Sequence, residues 1–553
     1  MRRTLSVLTI ALVVIAAGAI AGSAASPKTP PSKQEIAKRI LATPAGKALT
    51  PTARIALEAI ARGDHRATPD SNGMNAPAAV RQAKGAKPSG GPLPNVRVND
   101  PSKDSNQADQ TTQSETSIAV SGSNVAVGYN DSQRTLLVLT AASNLSGVSN
   151  STDGGQTFTD GGTIPNAPGK NNFGDPWLAT DSAATMYYSN LVLDIGSFSL
   201  LVGVAKSTDG GKSWSQATPI PPPPGNEFGY MADKDAMVAA GTGNLYDTWD
   251  DFTTTFDPNT GVFTEFSGLP VAHTTDGGST WSIAYADKTV LFTFDPNKPP
   301  DAQDCSFHQY IGAMPLVAAD GTVYEAALKF GVDDPNCTFT APFTEEEWIF
   351  ASHDGGQTFP QKVKIADVSP STGSFLGAFQ LGPSQLMRNL ELPTLAAKDG
   401  NLYAAWNDGA SGHSHVVLAT SKDGGNTWKT SQVTSGDNDE AQPALSADGS
   451  GLHLLYYEIS PVGGGTSQLD AVVSNSRNGT SWTTRRVTSQ SFPGVYTLPQ
   501  FDPIIAFTYM GDYIANVSDG THQYFAWGDN RDVVTNFLWP QGRHDPDVFF
   551  ARQ

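Results

Sequence analysis

Residues 151–158 read "STDGGQTF", and the string returns as "STDGGKSW" at 207–214, "TTDGGSTW" at 274–281, "SHDGGQTF" at 352–359 and "SKDGGNTW" at 421–428. A worn copy, "NSRNGTSW", occupies 475–482. A single such cluster of carboxylate, hydroxyl and ring would invite an active-site reading. Repetition argues against it, because a reaction needs its catalytic groups once whereas a repeated architecture needs its turn in every repeat. The residue types suit a turn: aspartate bonds backbone N–H groups of its own loop, glycine takes positive φ, and the final Trp or Phe packs between sheets. Asp153, Asp209, Asp276, Asp354 and Asp423 are therefore read as structural.

A second repeat runs beside the first, a pair of alternating strands split by a Gly/Asp/Asn turn. Its copies are "SETSIAVSGSNVAVGYND" from Ser114, "DPWLATDSAATMYYSN" from Asp175, "DKDAMVAAGTGNLYDTWDD" from Asp233 and "IGAMPLVAADGTVYEAAL" from Ile311. Three more are "ELPTLAAKDGNLYAAWND" from Glu391, "EAQPALSADGSGLHLLYYE" from Glu440 and "GDYIANVSDGTHQYFAWGD" from Gly511. Each pair is followed by a third strand, the Asp-Gly-Gly string and a fourth strand, which makes a propeller blade. The seventh pair ends in "HDPDVFFARQ" with no fourth strand after it, and "NVRVND" at 95–100 can supply the missing one. The fold expected for 95–553 is all-β, a seven-bladed β-propeller, with six blades as the alternative.

The pattern S-x-D-x-G-x-T-W resembles the Asp-box of the sialidase-like (BNR-repeat) propellers, and the likeness spans about residues 95–553. The resemblance implies that the boxes sit between the third and fourth strands of a blade, on the side away from the ligand. The loop before each first strand and the loop after each second strand would then face the ligand.

The N-terminus is of another kind. Arg2-Arg3, an apolar run from about Leu5 to Ile20 and the small residues at 22–25 make residues 1–25 a secretory signal peptide, too short to be retained as a spanning anchor. A secreted protein, extracellular or periplasmic, is expected, not membrane-spanning. Residues 26–94 are rich in Pro and Ala and read as a mostly disordered linker or pro-segment. Between Pro27 and Pro94 eleven Lys or Arg face four Asp or Glu, whereas from Asn95 onward twenty-two face fifty. An acidic folded part argues against nucleic acid as a partner. Solubility is the plain reading of that excess; no metal site or cofactor is expected, and structural calcium is the one cation kept open. Cys305 and Cys337, the only two cysteines, are expected to pair in an exported chain, closing a loop worth about 3 to 4 kcal/mol. A monomer is expected.

The ligand-facing loops contain Asp131, Arg134, Asp175, Asp233, Asp235, Asp250, Asp251, His308, Tyr310, Arg388, Glu391, Asp408, His413, His415, Asp439, Glu440, Glu458, Tyr509, Asp512, Tyr513, Asp529 and Arg531. Carboxylate pairs can do acid and base work on a glycosidic bond, and rings can stack on sugars. The resemblance implies more specific roles: Glu391 and Tyr513 match the segments that carry the family's glutamate and nucleophilic tyrosine, and Asp131 its acid. Arg134, Arg388 and Arg531 would bind the substrate carboxylate, with His413 and Tyr310 as further substrate contacts. The family's Arg-Ile-Pro motif is absent, and Asn407 stands where an arginine is expected. Two readings follow. One is an exported glycan-active enzyme, an exo-α-sialidase-like glycoside hydrolase or a related carbohydrate-active enzyme, including a lyase using His413 and His415 or His308 and Tyr310. The other is a non-catalytic propeller that binds a glycan or protein at the cell surface.

Overall fold

The computed structural model describes residues 91–553 apart from 104–111, 133–142, 195, 198, 224–229, 258, 299–302, 337–340, 373–377, 383–384, 495–509 and 536–539. The signal segment, nearly all of the 26–94 segment, Arg134, Cys337 and Tyr509 lie outside the described residues. Among the described residues the chain is strand and turn throughout, with one short 3-10 turn at Pro101–Lys103.

Among the described residues the strands fall into seven successive units of four, antiparallel within each unit, and the second and third units are joined in one nine-stranded sheet by a parallel pairing of Met231 with Leu200. The first is Gln113–Ser121, Asn124–Asp131, Ser146–Ser151 and Thr159–Thr163; the second Trp177–Thr180, Met186–Asp194, Ser199–Ser207 and Thr218–Pro219. The third is Met231–Ala239, Leu245–Phe256, Phe263–Thr274 and Ser282–Phe294; the fourth Phe307–Val317, Val323–Val332, Thr344–Ser352 and Gln361–Val368. The fifth is Thr394–Lys398, Asn401–Asp408, His415–Ser421 and Lys429–Gln432; the sixth Asp439–Ala447, Leu452–Gly463, Thr466–Ser476 and Thr483–Arg486. In the seventh, Ala515–Ser518, Gln523–Val534 and Arg543–Arg552 are completed by Val96–Arg97, whose residues pair with Phe550 and Phe549.

The first strands of successive units pack against one another, and that of the seventh packs on that of the first. This closed order is a β-propeller. Second strands are buried on both faces, so aromatic residues that alternate there fill the space between sheets: Tyr129 and Val127 meet Phe550 and Ala526 of the seventh unit, and Trp406 and Leu402 meet Phe330 and Ile349 of the fourth. Each such side chain contributes about 1.5 to 3 kcal/mol of burial.

The repeated string does what its residue types suggest. Asp153 Oδ1 accepts the backbone N–H of Gln156 (2.9 Å) and Thr157 (3.0 Å), and Oδ2 accepts the Thr157 hydroxyl (2.6 Å). Ser151 Oγ in turn accepts the N–H of Gly155 at 2.9 Å. Asp209, Asp276, Asp354 and Asp423 repeat the hydroxyl bond with Ser213, Thr280, Thr358 and Thr427. In the worn copy Asn478 substitutes, accepting Thr480 N–H at 3.0 Å. Gly155 has φ +84, and a Cβ there would lie 2.2 Å from the Phe550 ring, so the turn also seats against the neighbouring sheet. Because the third strand ends at these turns, they lie at the end of the propeller opposite to the starts of the first strands.

Among the described residues the structure adds three elements that the repeats do not contain, one of them a short strand at Phe492–Pro493 that pairs with Gln468 and Leu469 of the sixth unit. A strand at Lys170–Asn172 pairs beside the second unit, and a hairpin, Ala378–Gly382 with Gln385–Arg388, is inserted between the fourth and fifth.

Candidate functional site at the axial opening

The first strands begin around the propeller axis, and most begin irregularly. The residue three before the inward apolar anchor has positive φ in six of the seven units: Glu115, Asp175, Lys234, Gly312, Gln442 and Gly511. In four of them the register with the second strand slips next to it, between Ser114 and Ser117, Asp233 and Ala236, Ile311 and Met314, and Ala441 and Ala444. A bulge re-aims the side chain it carries, and Lys234, Gly312 and Gln442 line the opening. Gly312 and Gly511 show that glycine satisfies the backbone; for Glu115, Asp175, Lys234 and Gln442 the same conformation costs about 1 to 2 kcal/mol each.

Three of those side chains join one charged cluster. Asp512 lies at its centre with its side chain fully buried. Arg388, from the inserted hairpin, donates from Nε to Asp512 Oδ1 at 2.8 Å and from its terminal nitrogen to Oδ2. Lys234 Nζ bonds the same Oδ2 and lies 3.8 Å from Glu115 Oε1. Glu115 accepts the Asp512 backbone N–H at 2.9 Å and the Asn130 side-chain amide at 2.7 Å, and Asn130 Oδ1 accepts the Asp175 N–H at 2.6 Å. Gly511 is required here, since a Cβ would fall 2.6 Å from the Glu115 nitrogen.

The charges sort themselves. Burial opposes the charge of Asp512, but Arg388 and Lys234 overcome this and hold its pKa down at about 2. Burial pushes Glu115 well above the usual range, with the charge of Asp175 adding to the rise. Burial also raises Asp175, against the pull of Lys234 and with help from the charge of Asp233, and it raises Asp233. Lys234 is opposed by burial yet raised by Asp512, Glu115, Asp175 and Asp233 around it. Trp177 and Tyr513, with ring centroids 5.4 Å apart, line the opening beside Lys234 and Asp512.

The residues singled out from sequence scatter around this centre. Tyr513 lines the opening, and its hydroxyl donates to the Pro176 carbonyl at 3.1 Å. Glu391 is buried; its Oε1 accepts Ser371 N–H at 2.8 Å and the Asn389 amide at 3.2 Å, and burial pushes it up to about 7. Beside it Glu345 is raised by burial and by the Glu391 charge to about 9, and among the described residues neither Glu345 nor Glu347 has a hydrogen-bond partner. Asp131 is buried and accepts the Gln113 amide at 3.1 Å. Arg388 and Arg531 serve different carboxylates: Arg531 forks onto Asp529, with Nε 2.9 Å from Oδ1, reaches Asn95 and Ser489, and stacks 4.2 Å from the Phe549 ring. Tyr310 is buried and donates to Asp287. His413 sits 3.3 Å from Asp439 and His415 2.9 Å from Glu440. Cys305 is not a free cysteine, and its backbone N–H bonds Asp334 O at 3.1 Å. Among the described residues no group of three His, Cys, Asp or Glu side chains is arranged to hold a metal ion, and no helix is long and apolar enough to cross a membrane.

Glu115, Lys234 and Gln442 were not among the residues the sequence singled out. The register of the strand-pair repeat contains the signal, since all three align with Asp175, but a lysine or glutamine among acidic loop ends does not declare itself without the bulge.

Fold and site together define a β-propeller with a charged, aromatic-edged axial opening. Neither a family model nor a curated protein sequence matches the chain. Among solved structures it is similar to the α-L-arabinofuranosidase of Fusarium graminearum, at 15% identity over 70% of this chain and 98% of that one, with a TM-score of 0.39. It is also similar to the phage phi92 endosialidase, at 11% identity over 83% of this chain and 68% of that one, TM-score 0.40. A third is the Trypanosoma rangeli sialidase, at 14% identity over 71% of this chain and 55% of that one, TM-score 0.32. The fold assignment rests on the strand pairing and the closed packing order.

Proposed function

We propose that the chain is an exported, seven-bladed sialidase-like propeller that hydrolyses a glycosidic bond at the axial opening. The reading is carried by Asp175 and Asp233, whose charges both act on Lys234, the lysine that lines the opening together with the Trp177 and Tyr513 rings. Hydrolysis of a glycoside needs one protonated and one ionised carboxyl group across the scissile bond. The charge of Asp233 raises Asp175, so the pair keeps one proton more readily than two isolated aspartates. Asp175 is the proton donor in this reading and Asp233 the ionised partner. The two rings supply a platform for a sugar face. Glu391, bonded to Ser371 and Asn389, serves the protein framework.

The binding-only reading is favoured by one observation, that the Tyr513 hydroxyl and the Glu391 carboxylate spend their bonds on Pro176 and Ser371. A panel of chromogenic glycosides, arabinan and a sialic acid conjugate separates the two. Turnover that falls at least about a hundredfold in Asp175→Asn, with melting unchanged, supports the enzyme. No turnover on any substrate, together with retained binding on a glycan array, leaves the binding module. Turnover indifferent to Asp175→Asn and Asp233→Asn refutes the assignment of this site.

A further inference from the structure

A carboxylate of the protein already occupies the cationic clamp at the axial opening. Arg388 presents two parallel N–H groups to the two oxygens of Asp512, the planar fork by which arginine binds a carboxylate ligand, and Lys234 completes the set. An arginine fork with a lysine beside it is also the donor set that an acidic sugar would seek.

The parts come from distant segments. Arg388 ends a hairpin that belongs to none of the four-stranded units, Lys234 lies within the first strand of the third unit and Asp512 precedes the seventh. Lys234 holds φ +49 at a position that glycine fills in the fourth and seventh units, so its side chain, and not the backbone, accounts for its presence. Asp512 is fixed as well, through its N–H to Glu115. An arriving carboxylate would meet two cations already spent on Asp512, with Glu115, Asp175 and Asp233 close by.

We propose that Asp512 is a resident counter-anion that sets specificity: it fills the clamp of Arg388 and Lys234 in place of a ligand carboxylate and restricts the opening to uncharged sugars. This deepens the reading of the opening as a glycan site and rests on it for the word sugar.

The test uses the full chain, titrated with acetate, glucuronate and N-acetylneuraminate, with glucose as the uncharged control, and read by calorimetry and thermal shift. In the wild type no acid binds better than glucose. Asp512→Ala empties the clamp; each acid that fits should bind it at least about tenfold tighter than it binds the wild type, and should raise its melting temperature where glucose does not. Adding Arg388→Met removes both gains. The thermal-shift readout works on a destabilised variant, because an external carboxylate that refills the clamp restores stability. The proposal is overturned if the wild type prefers any of the acids about tenfold over glucose, or if no acid binds or stabilises Asp512→Ala. Absent turnover on the substrate panel with a refillable clamp would remove the hydrolase and keep the counter-anion; intact turnover with an inert clamp would do the reverse.

Discussion

Asn99 grips Asp547 across 448 residues of chain: its amide donates to Asp547 Oδ1 at 2.7 Å, while its carbonyl oxygen accepts the neighbouring Val548 N–H at 2.9 Å. All this is buried where the N-terminal strand completes the seventh unit. Asn99→Ala strands a buried carboxyl and a buried N–H, at about 1 to 3 kcal/mol for each. The expected loss in urea unfolding is about 2 to 4 kcal/mol with an unchanged m-value. A loss below about 0.5 kcal/mol, the range of ordinary surface changes, would mean that this strand adds little to closure.

Asp153→Ala removes the acceptor that closes its turn and should lower the melting temperature while leaving any activity in place. The hydroxyls of Thr157 and Ser151 hold the Asp153 carboxyl well below its usual range. A depressed acid contributes stability that is present above the unfolded pKa and lost as pH falls through the folded one. The difference in melting temperature between wild type and variant should therefore shrink below about pH 4. A selective loss of activity with unchanged melting would contradict the structural role.

The buried acids have the opposite sign. Burial raises Glu391 to about 7, Asp251 to about 6 and Glu458 to about 7, so their stabilising protonated forms are fully present below the unfolded pKa and lost as pH rises through the folded values. The melting temperature should fall between pH 5 and 8. Glu391→Gln retains the acceptor for Ser371 and cannot ionise, so it should flatten this slope and be more stable than wild type at pH 8 by up to about 3 kcal/mol, the linkage value of the shift. Calorimetric scans across that window check it; an unchanged slope counts against a buried, proton-holding Glu391.

Arg531→Met should cost about 3 to 5 kcal/mol, the penalty for leaving a buried ionic partner alone. Asp529 is fully buried and bonded to Arg531, which also ties Asn95 and Ser489 together. Turnover per folded molecule should be unaffected. A drop in activity at constant stability would instead place Arg531 among the ligand contacts.

Much of the scaffold was legible because its rules are local. The Asp-Gly-Gly turn needs only eight residues to declare itself, and the strand pairs alternate visibly from Ser114 to Asp529. The closure at Val96–Arg97 followed from counting strands. The hairpin ending at Arg388 carries no repeat signal, so the arrival of that arginine on Asp512 had no sequence signature. The arginines matched to the sialidase pattern could be aligned as letters, but which carboxylate each one holds depends on packing: Arg388 took Asp512 and Arg531 took Asp529. Tyr310 likewise sits in a ligand-side segment and yet turns into the sheets toward Asp287. Alternation tells which face a strand residue occupies and says nothing about which polar partner waits there.

The pairing of Val96–Arg97 with Phe549 and Phe550 also sets an order in time. The strand made early is the one used at the end, and it must wait unpaired while about 450 residues are added, about half a minute at ordinary synthesis rates. During that interval the edge of the first unit is exposed, and the ring exists only as an open arc. Shortening or delaying the last strand should therefore trap a species in which most sheets have formed and Val96–Arg97 has not yet met Phe549 and Phe550.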